Sequence, residues 1–315
     1  EELCNNNRDI LIQVAAQDLE EIDVRDQALK AIIDLAIVHP TLFHNDIMIT
    51  NLLLRIVKDN NNIFTSITLR INSCESIAKL LFSNILNDSN LFSILLQIFF
   101  IPDLIGNNNG SDGDSDSDNS DTIIDENENA MIEASMVRLQ QVLNVFFRTF
   151  YSSINGGSGS GTSSSSSANN NRILQDCITS LYTDTIILCR DDSAPLSVLS
   201  KLTDHIIGIC MSNDNDNNNN SQENSLKYKI QSSISATIFR EILKLGNSKI
   251  EKSLIKELIK ILSTMDPEKW GNGNSSSNSN EFKEKSSLSL CAYRCVKCIL
   301  RNCTLDVTTT KLLNI

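Results

Sequence analysis

Apolar residues return every three and four positions along this chain, in blocks separated by polar stretches. Three blocks show the pattern best: Cys74-Glu75-Ser76-Ile77-Ala78-Lys79-Leu80-Leu81-Phe82, then 91–102, then Val137-Arg138-Leu139-Gln140-Gln141-Val142-Leu143-Asn144-Val145-Phe146-Phe147. A period near 3.6 puts one apolar stripe on a helix, so each block predicts a helix with one buried face. The same reading predicts helices over 8–19, 24–38, 46–58, 172–190, 196–211, 226–245 and 250–265, and from about 282 to 302. Local signals set some of the ends. Asp23 is a fair N-cap for the second helix, Pro40 stops it, Pro195 suits a first turn, and Gly246 suits the position after a helix end.

The blocks repeat. Aligning Val24-Arg25, Leu69-Arg70 and Val137-Arg138 puts Ala28, Ser73 and Gln141 in register, then Ile32, Ile77 and Val145, then Ile37, Phe82 and Phe150. The arginines lie 45 and 68 residues apart, and the second spacing falls to 44 when the polar stretch 106–129 is set aside. Both values match the roughly 40–47-residue period of two-helix repeats. The array of about five helical pairs is broken by 106–129, 155–171, 212–225 and 271–281, stretches of Asn, Ser, Gly and Asp. Such stretches bury too little to offset their ordering entropy, so they are expected to be disordered loops inside one array over residues 1–315.

The order of elements between Glu75 and Phe147 carries a resemblance. An E-x-x-x-K-L-L helix, a Leu-rich helix closing in Phe100-x-Pro102-Asp103, an acidic loop and an R-L-x-Q-x-L-x-V-F-F helix resemble the CAP-G family of HEAT-repeat condensin proteins, in its C-terminal part. Asp-Val-Arg at 23–25 resembles the start of the second helix of a HEAT repeat. The likeness covers about the first two-thirds of the chain and is diffuse beyond Arg190. One departure is Arg148, where the family pattern carries Pro after the paired Phe; this touches the helix end there. The resemblance implies an all-α, armadillo-like solenoid of HEAT-type repeats that binds instead of catalysing. It also implies a partner segment from the kleisin subunit, the SMC ATPase subunits through it, contact with DNA, and a place in the nucleus on mitotic chromosomes.

Composition agrees with an all-α reading: 41% of residues are hydrophobic, mostly Ile and Leu, only 5% are aromatic, and four prolines leave long helices uninterrupted. Glu1 in place of Met predicts that the sequence is a piece of a longer chain. No run of about 18 uncharged apolar residues and no basic-then-apolar leader occurs, so no membrane partner is expected. Nine cysteines, scattered on apolar faces, read as reduced core residues of an intracellular protein. The net charge of −12 is concentrated: the stretch 106–129 contributes −8 and the next acidic stretch −3. The remaining body is close to neutral, which leaves room for patches of either sign.

Candidate chemistry is sparse. Cys291-x3-Cys295-x2-Cys298, with Cys303 nearby, has the spacing of an iron–sulfur cluster loop. It equally fits a Cys-rich buried stripe, because positions four and seven apart share a helical face with Leu288, Val296 and Ile299. Asp114-x-Asp116-x-Asp118 fails as a calcium loop, with Asn119 where Gly is needed and Asp125 where a bidentate Glu is needed. Ser111, Ser115 and Thr122 each precede an acidic residue by three positions, as acidophilic kinases favour. His39, His44 and His205 are too scattered for a metal site, and the glycines of 156–161 lack the Lys of a phosphate loop. No cofactor and no catalytic residue is expected.

Two sets of charged residues remain. Arg25, Arg70 and Arg138 recur once per repeat; they either line one face toward DNA or partner, or serve as caps and inter-helix ties. Lys30, Asp34, Glu75 and Lys79 stand at equal offsets from the aligned arginines with alternating sign. They predict a checkerboard in which Lys30 meets Asp34 and Glu75 while Lys79 meets Glu75 and Asp34, against the alternative of four unrelated surface charges. The competing class of function is a HEAT or armadillo adaptor for nuclear transport or a phosphatase, which fold alone does not separate from a condensin subunit.

Overall fold

The computed structural model of the chain describes residues 2–17, 20–58, 67–106, 126–155, 164–211, 221–245 and 252–265. These residues form twelve helices, and no strand occurs among them. The chain divides into two compact units, Glu1–Ile173 and Leu174–Ile315. The fold is all-α and built of HEAT-type helical repeats.

The first unit starts with α1 (Glu2–Ala16) and α2 (Ile22–Val38), then a one-turn α3 (Pro40–Phe43), α4 (Ile47–Lys58) and α5 (Ile67–Phe82). It continues with α6 (Ser89–Phe100), the short α7 (Asp103–Gly106), α8 (Glu126–Asn155) and the beginning of α9 (Ser164–Arg190). Helices α1 and α2, α4 and α5, and α6 and α8 pair as antiparallel units, and α5 packs against both α2 and α8. Stacking of that kind is what buries a repeat that has too little apolar surface alone. In the second unit α10 (Ser197–Met211), α11 (Ser221–Leu245) and α12 (Lys252–Thr264) pack on one another. Its polar core contacts include Tyr182 on Thr203 at 2.7 Å and Ser235 on the Met265 sulfur at 3.0 Å.

Helix α5 is the centre of the first unit because it is buried on almost every side. Leu69, Ile71, Cys74, Ile77, Leu80 and Leu81 are buried, and so are the small Ser73, Ser76 and Ala78, which let neighbouring helices approach. The two buried hydroxyls cost little: Ser73 donates to Leu69 O at 2.8 Å and Ser76 to Asn72 O at 2.7 Å, one turn back. Across the third pair an aromatic cluster fills the core. The Phe92 ring lies 4.6 Å from Phe150 and 5.7 Å from Phe147, and Phe99 lies 5.3 Å from Phe147. Each such side chain taken from water contributes about 1.5–3 kcal/mol.

Directions follow from contacts. The turn after α3 is tied to the turn after α5 by Asn45 N–H on Ile85 O at 2.8 Å and Asn87 N–H on the Asn45 side chain at 2.9 Å. Asn45 and Asn84 both take positive φ, 54° each, which Asn tolerates better than most residues. Helices α2 and α5 therefore end at the same edge and run parallel. Moving from Phe99 back to Phe92 on α6 moves from Phe147 forward to Phe150 on α8, so α6 and α8 are antiparallel. Since α5 and α6 form a hairpin, α8 runs with α5.

Several boundaries differ from expectation. Helix α1 ends at Ala16, and α2 starts at Ile22 with Glu21 at its N-cap and no side-chain cap bond, so Asp23 is in the first turn instead of capping it. An acid there still meets the positive end of the helix. Asp88 does cap, accepting from the backbone N–H of Asn90 and Leu91. Helix α8 starts at Glu126, α9 at Ser164 and α11 at Ser221, inside stretches read as disordered. Once a packed helix exists, extending it by a residue is far cheaper than nucleating one, so polar residues with no apolar stripe of their own join its end. Helix α8 also runs through Arg148 to Asn155, as an arginine permits and a proline would not.

Candidate functional site

The second helices of the three pairs, α2, α5 and α8, form a row, and the recurring arginines stand on it. Arg25 and Arg70 are buried, at 2% and 3% exposure. Arg25 Nε donates to Ala15 O at 3.3 Å, at the last turn of α1. Arg70 Nη2 donates to Val57 O at 3.1 Å, at the last turn of α4, and its Nη1 and Nη2 reach Ile105 O at 2.9 Å and Leu104 O at 2.5 Å in α7. The last carbonyls of a helix have no partner within it and form its negative end, so a guanidinium there satisfies orphan acceptors with matching charge. These two arginines are caps for the preceding helix. A row of three arginines facing DNA is corrected accordingly, since two of its members are not at the surface.

Arg138 differs. It is 57% exposed and pairs with Glu75 through Nε at 2.8 Å, with Nη2 at 3.5 Å from the Asn72 side-chain oxygen. The Asn72 amide in turn donates to Asp26 at 2.7 Å, and Lys30 closes on Asp26 at 2.6 Å. One polar chain, Lys30–Asp26–Asn72–Arg138–Glu75, thus crosses all three parallel helices. The checkerboard is corrected in the same terms: no ion pair joins Lys30 to Glu75 or Asp34 to Lys79, and Lys30 turns back to Asp26 instead of forward to Asp34. The physical reason is competition for partners: Asp26 on its own helix holds Lys30, and Arg138 of α8 holds Glu75. Glu75 and Arg138 meet 63 positions apart, not at the 68 of the aligned arginines, so α8 is displaced by more than a turn.

Asp26 and Asn72 were missed as cross-helix ties, although Asp26 sits beside the aligned Arg25 and is 46 positions from Asn72, one off the 45-residue repeat. Also missed was the other end of the row. Seven residues on from Glu75 and Arg138, two helical turns on the same stripes, come Phe82 and Val145, 58% and 65% exposed. Seven on from Lys30 comes the exposed Ile37. The groove between α5 and α8 is polar at one end and apolar about 10 Å further along.

Elsewhere the chemistry is quiet. Cys74, Cys177 and Cys189 are free and buried. Burial pushes the Cys74 thiol up to about 12 and Cys189 up to about 11, and raises Cys177 as well. Thiols held protonated in this way are poor nucleophiles and poor ligands. Burial lowers the pKa of His205. An open groove of about 480 Å³ lies along α8 with Phe99, Met136, Val137 and Gln141 on its walls. Among the described residues no group of His, Cys, Asp and Glu could hold a metal ion, and no helix is long and apolar enough to cross a membrane. Cys291, Cys295, Cys298 and Cys303, the Asp114-x-Asp116-x-Asp118 run and Ser111, Ser115 and Thr122 lie outside the described residues, as does the helix expected from about 282 to 302.

Nothing matches among curated proteins or among solved structures. A family model does match: nuclear condensing complex subunits, C-terminal domain, over residues 1–266, a span that takes in all twelve described helices. The stacked helical pairs and a match of that length agree, and the chain belongs to the family of nuclear condensing complex subunits.

Proposed function

We propose that this condensin-family chain is a non-catalytic scaffold that holds a segment of the kleisin subunit, is linked through it to the SMC ATPase subunits, and with it contacts DNA on mitotic chromosomes in the nucleus. The observation that supports the reading is the family match over residues 1–266. The architecture suits the task. Parallel rows of helices present an extended surface that a chain segment can follow, and binding asks for no reactive side chain. The arginine row contributes little to DNA contact by itself, because Arg25 and Arg70 are capped inward and Arg138 is already paired. In this reading DNA contact is a joint property of this chain and its kleisin segment. Affinity purification of the chain from mitotic cells tests the reading: kleisin and the SMC subunits should be recovered with it. Recovery of nuclear-transport or phosphatase components alone would overturn it. For DNA, a duplex should shift in a salt-dependent way with the chain and kleisin together; equal shifts with and without kleisin would defeat the joint mode.

A further inference from the structure

The groove between α5 and α8 changes character along its length. At the Glu75–Arg138 end each charge is answered, and the side chains of Asn72, Asp26 and Lys30 extend the answer to α2. At the Phe82–Val145 end two large apolar side chains stand in solvent, more than half exposed. Lys79, three residues before Phe82, and Arg148, three residues after Val145, are exposed there, and neither is in an ion pair among the described residues. Asp34, the carboxylate exposed near this level, is on α2, across α5 from Arg148. The aromatic packing of Phe92 on Phe147 and Phe150 sets the slide of α8, and the polar end shows the register that results, so the apolar end is a preformed feature and not a loose pair of side chains.

We propose that the Phe82–Val145 end of this groove is a docking site for a partner segment presenting a bulky apolar side chain flanked by Asp or Glu. The inference rests on the reading that the chain works by holding a segment of another protein. The apolar pair recovers burial on contact, and the segment's carboxylates answer Lys79 and Arg148. Duplex DNA fits poorly, because it would strand Phe82 and Val145 against phosphates. A second copy of the same chain fits poorly too, because a two-fold contact on this end would bring its own cations against one another.

Panning a phage-displayed library of random peptides against the purified whole chain tests this, with a Phe82→Ser/Val145→Ser double variant as the counter-target. Peptides enriched on the natural chain and not on the variant should share an aromatic or aliphatic residue next to Asp or Glu. A synthetic peptide of that consensus should lose at least about tenfold in affinity to the double variant. Lys79→Glu/Arg148→Glu should also weaken it, and replacing the peptide's acids by Lys should restore binding to that reversed groove. All four positions are exposed, so circular dichroism and the melting midpoint should stay unchanged. No enrichment, enrichment indifferent to Phe82 and Val145, a basic consensus, or displacement of the peptide by duplex DNA would each overturn the proposal. Since the readout is direct binding by the purified chain, failure here leaves the condensin reading to its own co-purification test.

Discussion

Arg70 and Arg138 occupy matching places in the chain's own repeat and have opposite surroundings. Arg70 is buried among carbonyls from two different helices, α4 and α7, while Arg138 stands mostly in solvent against one carboxylate. The same guanidinium is a structural rivet in one repeat and a surface tie in the next. The difference comes from what precedes each helix. Helix α5 finds unsatisfied carbonyls at the end of α4 beside its start; α8 begins at Glu126, and where it passes the last turn of α6 it is Gln140, not Arg138, that reaches the carbonyl there, Ile98 O at 3.3 Å. Residue identity at a repeat position is thus weaker evidence of role than the register that decides which side chain meets the end of the neighbouring helix.

The comparison breaks most visibly at Arg70. Arg70→Met keeps the stem and removes the donors, leaving the carbonyls of Val57, Leu104 and Ile105 without this partner in a buried place. A loss of about 3–5 kcal/mol is expected, from an orphaned-acceptor cost of about 1–3 kcal/mol per group partly recovered by relaxation. The urea midpoint of the natural and variant chains measures it, and an unchanged midpoint would refute the rivet role. Arg25→Met should follow at about 2 kcal/mol, because its cap on Ala15 is longer, 3.3 Å, and nearer an edge of the unit. A larger loss for Arg25 than for Arg70 would reverse that order.

The helices, the pairing and the period were legible because apolar spacing and proline positions are local signals, and the family resemblance carried the fold class with them. Helix starts at Glu126, Ser164 and Ser221 were not, since a Ser- or Asn-rich end joins a helix through propagation and leaves no apolar mark. The candidate site was half legible. Aligning arginines found Arg25 and Arg70, which share a role, and misplaced Arg138, because a spacing of residues does not encode how far one helix slides along another. That slide is set by long-range packing of Phe92 with Phe146, Phe147 and Phe150. The apolar end of the groove was visible only afterwards, when Glu75 and Arg138 supplied the true register for Phe82 and Val145.

A smaller effect sharpens the same contrast at the tie between α2 and α5. Asn72→Ala removes the 2.7 Å bond to Asp26 and the longer contact from Arg138, and leaves Asp26 with Lys30. A carboxylate that keeps one partner and reaches water loses modestly, so about 1–2 kcal/mol is expected. A loss as large as that of Arg70→Met would mean that this tie, and not the cap, holds the row together.

Arg138→Met should cost least, about 0–1 kcal/mol, because the pair with Glu75 is screened by solvent and by salt. The sharper measurement is a double-mutant cycle with Glu75→Gln. The two single losses and the joint loss should give a coupling of at most about 1 kcal/mol, shrinking further as sodium chloride is raised from low to high. The loss for Arg70→Met should depend less on salt, since its bonds to the neutral carbonyls of Val57 and Ile105 are buried away from ions. If instead the Arg138 coupling were large and salt-insensitive, the polar end of the groove would be a buried rivet like Arg70. Phe82 and Val145 would then be fixed more rigidly than the solvent-exposed geometry of Arg138 implies.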